Sequence, residues 1–168
     1  MILALDASTR STGYAVFDKN ELITYGCLTA SSNDLINRIQ KIILGLNEVF
    51  KNYKIDKIIL EEVRPEDGMQ NIKTHRALMW LQGAIAMLAH EIDKKIEIEY
   101  MYPSQWRKHC GIGTGRGVKR EVVKQRDIEF VKKTYGLDVN DDIADAIGIG
   151  HGYLIENGGS RNYGALEF

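Results

Sequence analysis

Only two cysteines, Cys27 and Cys110, occur among the 168 residues. They make no metal-ligand spacing and no disulfide framework, which excludes a cysteine-stapled secreted scaffold and a thiolate zinc module. Both are expected to be small buried hydrophobes in a reduced compartment. The four histidines, His75, His90, His109 and His151, lack zinc spacing as well. No Ser-His-Asp or Cys-His-Asn arrangement stands out. Long apolar runs are missing too: the longest, near residues 77–89, is broken by Gln82 and Gly83 and falls short of the roughly 20 residues of a membrane span. Met1 to Leu5 is apolar, but Asp6 and Arg10 follow at once, so no secretory core segment is expected. The reading is a soluble protein of the cytoplasm. There is no internal repeat and no linker.

An overall basic balance is also absent, since 22 Lys and Arg face 23 Asp and Glu. The average conceals a separation. Residues 104–133 hold nine cations (Arg107, Lys108, Arg116, Lys119, Arg120, Lys124, Arg126, Lys132, Lys133) against three acids. That window carries +6 and leaves −7 on the remainder. Such a molecule is suited to hold an anion on one patch and cations on another. Hydrophobic residues make up 44% and charged residues 27%, enough to build one core and cover it.

Ile2 to Asp6 is an apolar run ending in a carboxylate. Thr12 to Phe17 and Leu22 to Leu28 read as two further strands, joined through the turn Asp18-Lys19-Asn20. A helix follows, capped by Ser32 or Asn33, with Leu35, Ile39, Ile42, Leu46 and Val49 on one apolar face. Lys57 to Leu60 is a short buried strand running into Glu61 and Glu62. Arg64 to Asn71 is a polar loop. A helix is predicted over 74–92, a strand over 96–100 and a short helical turn over 103–110. A glycine-rich basic loop leads to a helix over 119–135 with Gly136 as its cap, and a last helix spans 141–157. The order predicts an α/β fold, a five-stranded mixed sheet flanked by helices. One domain is expected over 1–157, with 158–168 as a loose tail.

Several acids sit where these elements begin or end. Asp6 and Glu61 close buried strands, so each must be paired, metal-bound or at the surface. Asp142 and Asp145 lie three apart on one helix face, where like charges repel unless something compensates. Each has an ordinary alternative: a turn carboxylate for Asp6, a solvated strand end for Glu61, an acidic helix start for the other two. Asp141 is expected to be the helix cap. Together the four suit hard divalent cations, and two such ions can clamp an in-line phosphoryl displacement.

Three segments, Leu5-Asp6-Ala7-Ser8-Thr9-Arg10-Ser11-Thr12-Gly13-Tyr14, Ile59-Leu60-Glu61-Glu62-Val63 and Asp142-Ile143-Ala144-Asp145-Ala146, together resemble the RuvC-type Holliday junction resolvases of the ribonuclease-H-like superfamily. Gly111-Ile112-Gly113 and Lys119 fall in a matching basic stretch. The resemblance runs from residue 2 to about 155. It implies a ribonuclease-H-like fold and Asp6, Glu61, Asp142 and Asp145 as catalytic, metal-binding acids. It further implies Mg²⁺ or Mn²⁺, two ions per site, a homodimer, and paired nicks across a four-way DNA junction in a bacterial or phage-infected cell. Bacterial members carry an aromatic residue three positions after the strand glutamate, where this chain has Arg64; in this the chain looks closer to phage-encoded relatives.

For DNA, the expected phosphate contacts are Arg10, Arg64, Arg107, Lys108, Arg116, Lys119, Arg120 and Lys124, with an ordinary solvated basic helix as the alternative. Trp106 is expected either to stack on a base or, more ordinarily, to be partly buried. In the segment 77–92, twelve of sixteen residues are apolar. A helix apolar all round must be covered on both sides, so helix 74–92 is the expected dimer interface. Three other functions stay open: a related nuclease acting on flaps, forks or RNA–DNA hybrids, a catalytically silent junction-binding protein, and a sugar-kinase-like ATPase. The last is suggested by Asp6-x-Ser8-x-x-x-Thr12-Gly13, although such enzymes need two related domains.

Overall fold

The computed structural model describes residues 1–62, 72–115 and 117–159. The loop expected over 64–71, most of the tail from 158, and the two predicted DNA contacts Arg64 and Arg116 lie outside these. Five strands, β1 (Ile2–Asp6), β2 (Ser11–Asp18), β3 (Glu21–Thr29), β4 (Lys57–Glu61) and β5 (Glu97–Met101), form one mixed sheet in the order β3-β2-β1-β4-β5. The first three make the expected antiparallel meander, and β4 and β5 add in parallel. Among the described residues there are also five helices: α1 (Leu35–Asn52), α2 (Ile72–Ile92), α3 (Pro103–His109), α4 (Arg120–Tyr135) and α5 (Asp141–Glu156).

The pleat divides the molecule into two cores. Leu3, Leu5, Val16, Ile58 and Leu60 point to one face of the sheet. There they meet Ile39, Ile42, Leu46 and Val49 of α1 and Leu81, Ile85 and Ala89 of α2. Ala4, Ala15, Phe17, Ile59 and Met101 point to the other face, against Trp106 of α3, Val131 of α4 and the apolar length of α5. Strand side chains alternate between faces. Asp6 therefore follows Ala4, and Glu61 follows Ile59, onto the α5 side. Leu5 pairs with Leu60 across β1 and β4, so the two acids end adjacent strands on the same face.

Helix boundaries depart from expectation at two caps. Asp34, and not Ser32 or Asn33, caps α1, its Oδ1 accepting from Asn37 N at 2.8 Å. Ser32 caps the turn before it, accepting from Asp34 N at 3.1 Å. Asn140 caps α5, accepting from Ile143 N at 3.0 Å. That leaves Asp141 free to pair with Lys124 of α4, a better use of a full charge near a cation. Gly136 ends α4 in the left-handed region as expected. The helical turn after β5 is a full short helix, α3, with Pro103 at its start, where a missing N–H costs nothing.

Helix α2 has one buried face, Leu81, Ile85 and Ala89, and one that stays apolar in the open. Ile72, Met79, Trp80 and Met87 are 48–60% exposed. They share one stripe of the helix, with Gly83 between them.

Helix α5 crosses β1 and β2 closely because Gly13 lets it. A Cβ built on Gly13 would stand 1.9 Å from the backbone carbonyl oxygen of Asp142. Gly13 is also the β2 partner of Asp6, so this contact sets the start of α5 directly over the end of β1. Backbone cannot rotate away as a side chain can. We expect Gly13→Ala to cost about 3 kcal/mol by overpacking, measured by urea unfolding, and Gly83→Ala, whose Cβ would meet open space, to cost far less.

Candidate active site

Asp6 is the centre of the site. It sits at the end of β1, and Glu61 at the end of β4 and Asp142 at the start of α5 both raise its pKa. Burial contributes most, and the carboxyl is pushed up to about 7. Lys124 from α4 and Arg107 from α3 pull in the opposite direction without cancelling it. Glu61 is raised for the same leading reason, burial. Asp145, only 8% exposed, is raised by burial, by Asp6 and by Asp127. The four acids singled out in the sequence thus share one electrostatic site built from three separate elements.

Each is held by the protein. Asp142 Oδ2 accepts from Ser11 Oγ at the start of β2. Glu61 Oε2 accepts from Trp106 Nε1 at 2.9 Å. Asp145 Oδ2 lies 3.6 Å from Arg107 Nη2. Asp145 Oδ1 is buried without a hydrogen-bond partner. Among the described residues, no three side chains of the His, Cys, Asp and Glu types close around a common point as the ligands of one ion. The donor set is nonetheless that of a hard divalent cation: carboxylate oxygens only, mutually repelling, with one buried oxygen unsatisfied. The residues present fit such a cation.

The hydroxyls beside Asp6 have a different task from cradling phosphate. Thr12 Oγ1 donates to Ser8 O at 2.6 Å and accepts from Ser8 N at 3.2 Å. They close the β1–β2 turn, which accounts for the kinase-like spacing without a nucleotide. His151 is packed in the second core, its Nδ1 2.8 Å from Tyr135 Oη and its ring edge-on to Phe130. Burial lowers its pKa to about 4. The cysteines are half-buried and free, and Cys27 stands 3.1 Å from Ser11 Oγ.

The basic stretch divides into inward and outward residues. Lys119 and Arg120, at the start of α4, are exposed, as are Lys108 on α3 and Arg10 after β1. Arg120 is near enough to lower the pKa of Glu61. Lys124 is half-buried on Asp141. Arg107, expected on the DNA surface, is the correction. Its Nε donates to Asp127 at 3.2 and 3.1 Å and its Nη2 at 2.9 Å, and its side chain is 13% exposed. Asp127 is fully buried and would be an uncompensated charge without it. Trp106 is also fully buried, so it is part of the core and no base-stacking platform. Asp127 was not singled out in the sequence, where it counted only against the local positive charge. The spacing Val123, Asp127, Val131 places it on the buried stripe of α4 and was the available signal.

The sign of the pH dependence follows. A carboxyl with a raised folded-state pKa keeps its proton in the native state while the unfolded chain releases it, so stability falls as pH rises from about 4 to 7. In metal-free buffer the parent should lose melting temperature across that window. Asp6→Asn should flatten the loss, melting above the parent at pH 8 and level with it at pH 4. Parallel curves in differential scanning calorimetry would remove Asp6 as the strained group.

Residues 2–151 match the family model described as Crossover junction endodeoxyribonuclease RuvC. The curated protein of that description from Aliarcobacter butzleri is 31% identical, over 87% of this chain and 95% of its own length. The one from Shewanella frigidimarina is 30% identical, over 99% of both. Among solved structures, Thermus thermophilus RuvC, determined in complex with a Holliday junction substrate, superposes with a TM-score of 0.74 at 15% identity. It covers 94% of this chain and 96% of that one. The sheet is therefore the ribonuclease-H-like one that the sequence led us to expect. With a family match over nearly the whole length and the acids gathered at one strand edge, this chain belongs to the crossover junction endodeoxyribonuclease RuvC family.

Proposed function

We propose that the protein resolves four-way DNA junctions by paired symmetric nicks, with Asp6, Glu61, Asp142 and Asp145 holding two divalent ions, Mg²⁺ by preference and Mn²⁺ as a substitute. The observation that carries this reading is the convergence of those acids on a half-buried Asp6. The relatives named as crossover junction endodeoxyribonucleases and the junction complex of the Thermus protein support it. Bound ions would supply the activated water and stabilise the leaving oxygen of the displaced strand. The chain's own part is positioning. Ser11 and Trp106 orient two of the carboxylates, Gly13 brings α5 against β1, and the second core excludes water from beneath the site. Arg10, Lys108, Lys119 and Arg120 supply exposed cations for phosphates, with Arg64 and Arg116 proposed for the same task; Lys124, expected among them, is engaged by Asp141. The nuclease domain is proposed over 1–157, with 158–168 as a tail.

A symmetric junction calls for a symmetric enzyme. We propose a homodimer through α2, since Met79, Trp80 and Met87 form its open apolar stripe. Met87→Asp should then give a monomer by light scattering, bind a single duplex arm and lose paired nicking. An unchanged mass would move the interface elsewhere.

The function is tested with an end-labelled four-way junction beside a flap, a fork and an RNA–DNA hybrid. Symmetric nicks in the junction alone are expected. Preference for another substrate would favour the related nuclease reading. Asp6→Asn, Glu61→Gln, Asp142→Asn and Asp145→Asn should each lower nicking by orders of magnitude while binding survives, and paired substitutions should add little, because the acids act as a unit. Lys119→Ala or Arg120→Ala should reduce the salt dependence of junction binding by about one unit of slope per lost phosphate contact.

A further inference from the structure

We propose that α3 is the positioning element of the active site, with Trp106 and Arg107, adjacent in sequence, each fixing a different acid. This rests on the reading of Glu61 and Asp145 as metal ligands. Trp106 is fully buried against α5, in a seat made by two glycines. A Cβ on Gly148 would lie 2.5 Å from its ring, and one on Gly152 would lie 2.7 Å from its Cα. The indole has one polar atom and can only donate. That N–H is aimed at Glu61 Oε2 at 2.9 Å. A fully buried ring seated on Gly148, with its own Cα held against Gly152, has little room to swing, so its N–H defines where one carboxylate oxygen stands. Phenylalanine would keep an apolar aromatic ring in this seat, though a smaller one; the donor is what the indole adds.

The next residue works on the other acid. The Arg107 guanidinium lies over the Trp106 ring, 4.2 Å from its centroid. Its fork is closed on Asp127, and the same Nη2 reaches to 3.6 Å from Asp145 Oδ2. A free arginine beside Asp145 would act as its counter-ion and compete with a divalent cation. Here Asp127 already takes the bidentate contact, so Arg107 reaches Asp145 only at longer range and makes no hydrogen bond to it. Its second oxygen, Oδ1, remains buried and unpartnered. Both acids are thus touched by α3 on one oxygen. In Asp145 the other oxygen has no hydrogen-bond partner, as an oxygen kept for a cation would. Asp127 completes the device from α4, which explains a fully buried acid in a helix that carries five Lys and Arg.

The test uses the full-length protein. Trp106→Phe keeps a smaller aromatic ring and removes the N–H; Arg107→Lys keeps the charge and removes the fork. Loss of such outer partners commonly costs 10- to 100-fold in metal affinity or activity. We expect Trp106→Phe to nick the four-way junction 10- to 100-fold more slowly, with junction affinity in metal-free buffer within about twofold of the parent. Its Mn²⁺ dissociation constant, read by electron paramagnetic resonance, should rise by a similar factor. Titrating Mg²⁺ should change the parent's tryptophan emission, and that change should vanish in both Trp106→Phe and Glu61→Gln. Asp127→Asn, nearly isosteric, should weaken Mn²⁺ binding by releasing Arg107 onto Asp145, and it decides the question if Trp106→Phe or Arg107→Lys proves unfolded by circular dichroism. Parental Mn²⁺ affinity and nicking in folded Trp106→Phe, Arg107→Lys and Asp127→Asn would overturn the role of α3. Parental nicking by Glu61→Gln and Asp145→Asn would instead overturn the metal site on which the inference stands.

Discussion

Carboxylates repel, and the interior of a protein disfavours each one singly. The end of β1 gathers them regardless. Asp6 is half-buried, stands near Glu61 and Asp142, and holds its proton to near neutrality. Most of the surrounding architecture can be understood as what is required to keep that arrangement folded. The sheet places two acids on adjacent strand ends and α5 brings two more. Ser11 and Trp106 each donate a hydrogen bond to an acid, and Arg107 and Lys124 supply nearby positive charge. A divalent cation would relieve the same repulsion more completely than any of these. Stability and catalysis are therefore opposed at this site, and it is the bound state that reconciles them.

The positive charges tell a related story. Read along the chain, residues 104–133 look like a uniform phosphate-binding strip. In three dimensions they belong to two populations. Arg107 and Lys124 face inward to Asp127 and Asp141, and Lys132 pairs with Asp138. Lys108, Lys119 and Arg120 face solvent, and Arg120 stands near enough to Glu61 to lower its pKa. Part of the +6 therefore belongs to the internal electrostatics of the active site, and only the remainder is offered to a polyanion.

The five strands, their antiparallel meander and the helix carrying Asp142 and Asp145 were legible in the sequence because apolar periodicity and terminal acids are local signals; the order of strands across the sheet was not. So was Gly136 as a helix end. The two caps were misjudged by one or two residues, since Ser32, Asn33 and Asp34, or Asn140 and Asp141, are all competent N-caps and only geometry chooses among them. Arg107 was misplaced for a deeper reason. Its partner Asp127 lies on a different helix, and a buried ion pair leaves no periodic trace unless both members are found together. Trp106 shows the opposite case: its burial was foreseeable from its size, but its hydrogen bond to Glu61 needed the fold.

The pleat parity of β1 and β4 has a consequence for how this molecule can vary. Asp6 and Glu61 share a face because each lies an even number of residues from the alanine or isoleucine beneath it, and because Leu5 is in register with Leu60. One residue inserted into either strand would turn its acid to the opposite face, toward α1 and α2, while leaving composition, charge and strand propensity almost unchanged. The β2–β3 turn at Lys19 and Asn20 is under no such arithmetic. Length variation among descendants of this chain should therefore be free at the hairpin tip and forbidden by whole residues inside β1 and β4. There the active site is stored as a count, odd or even, before it is stored as a set of side chains.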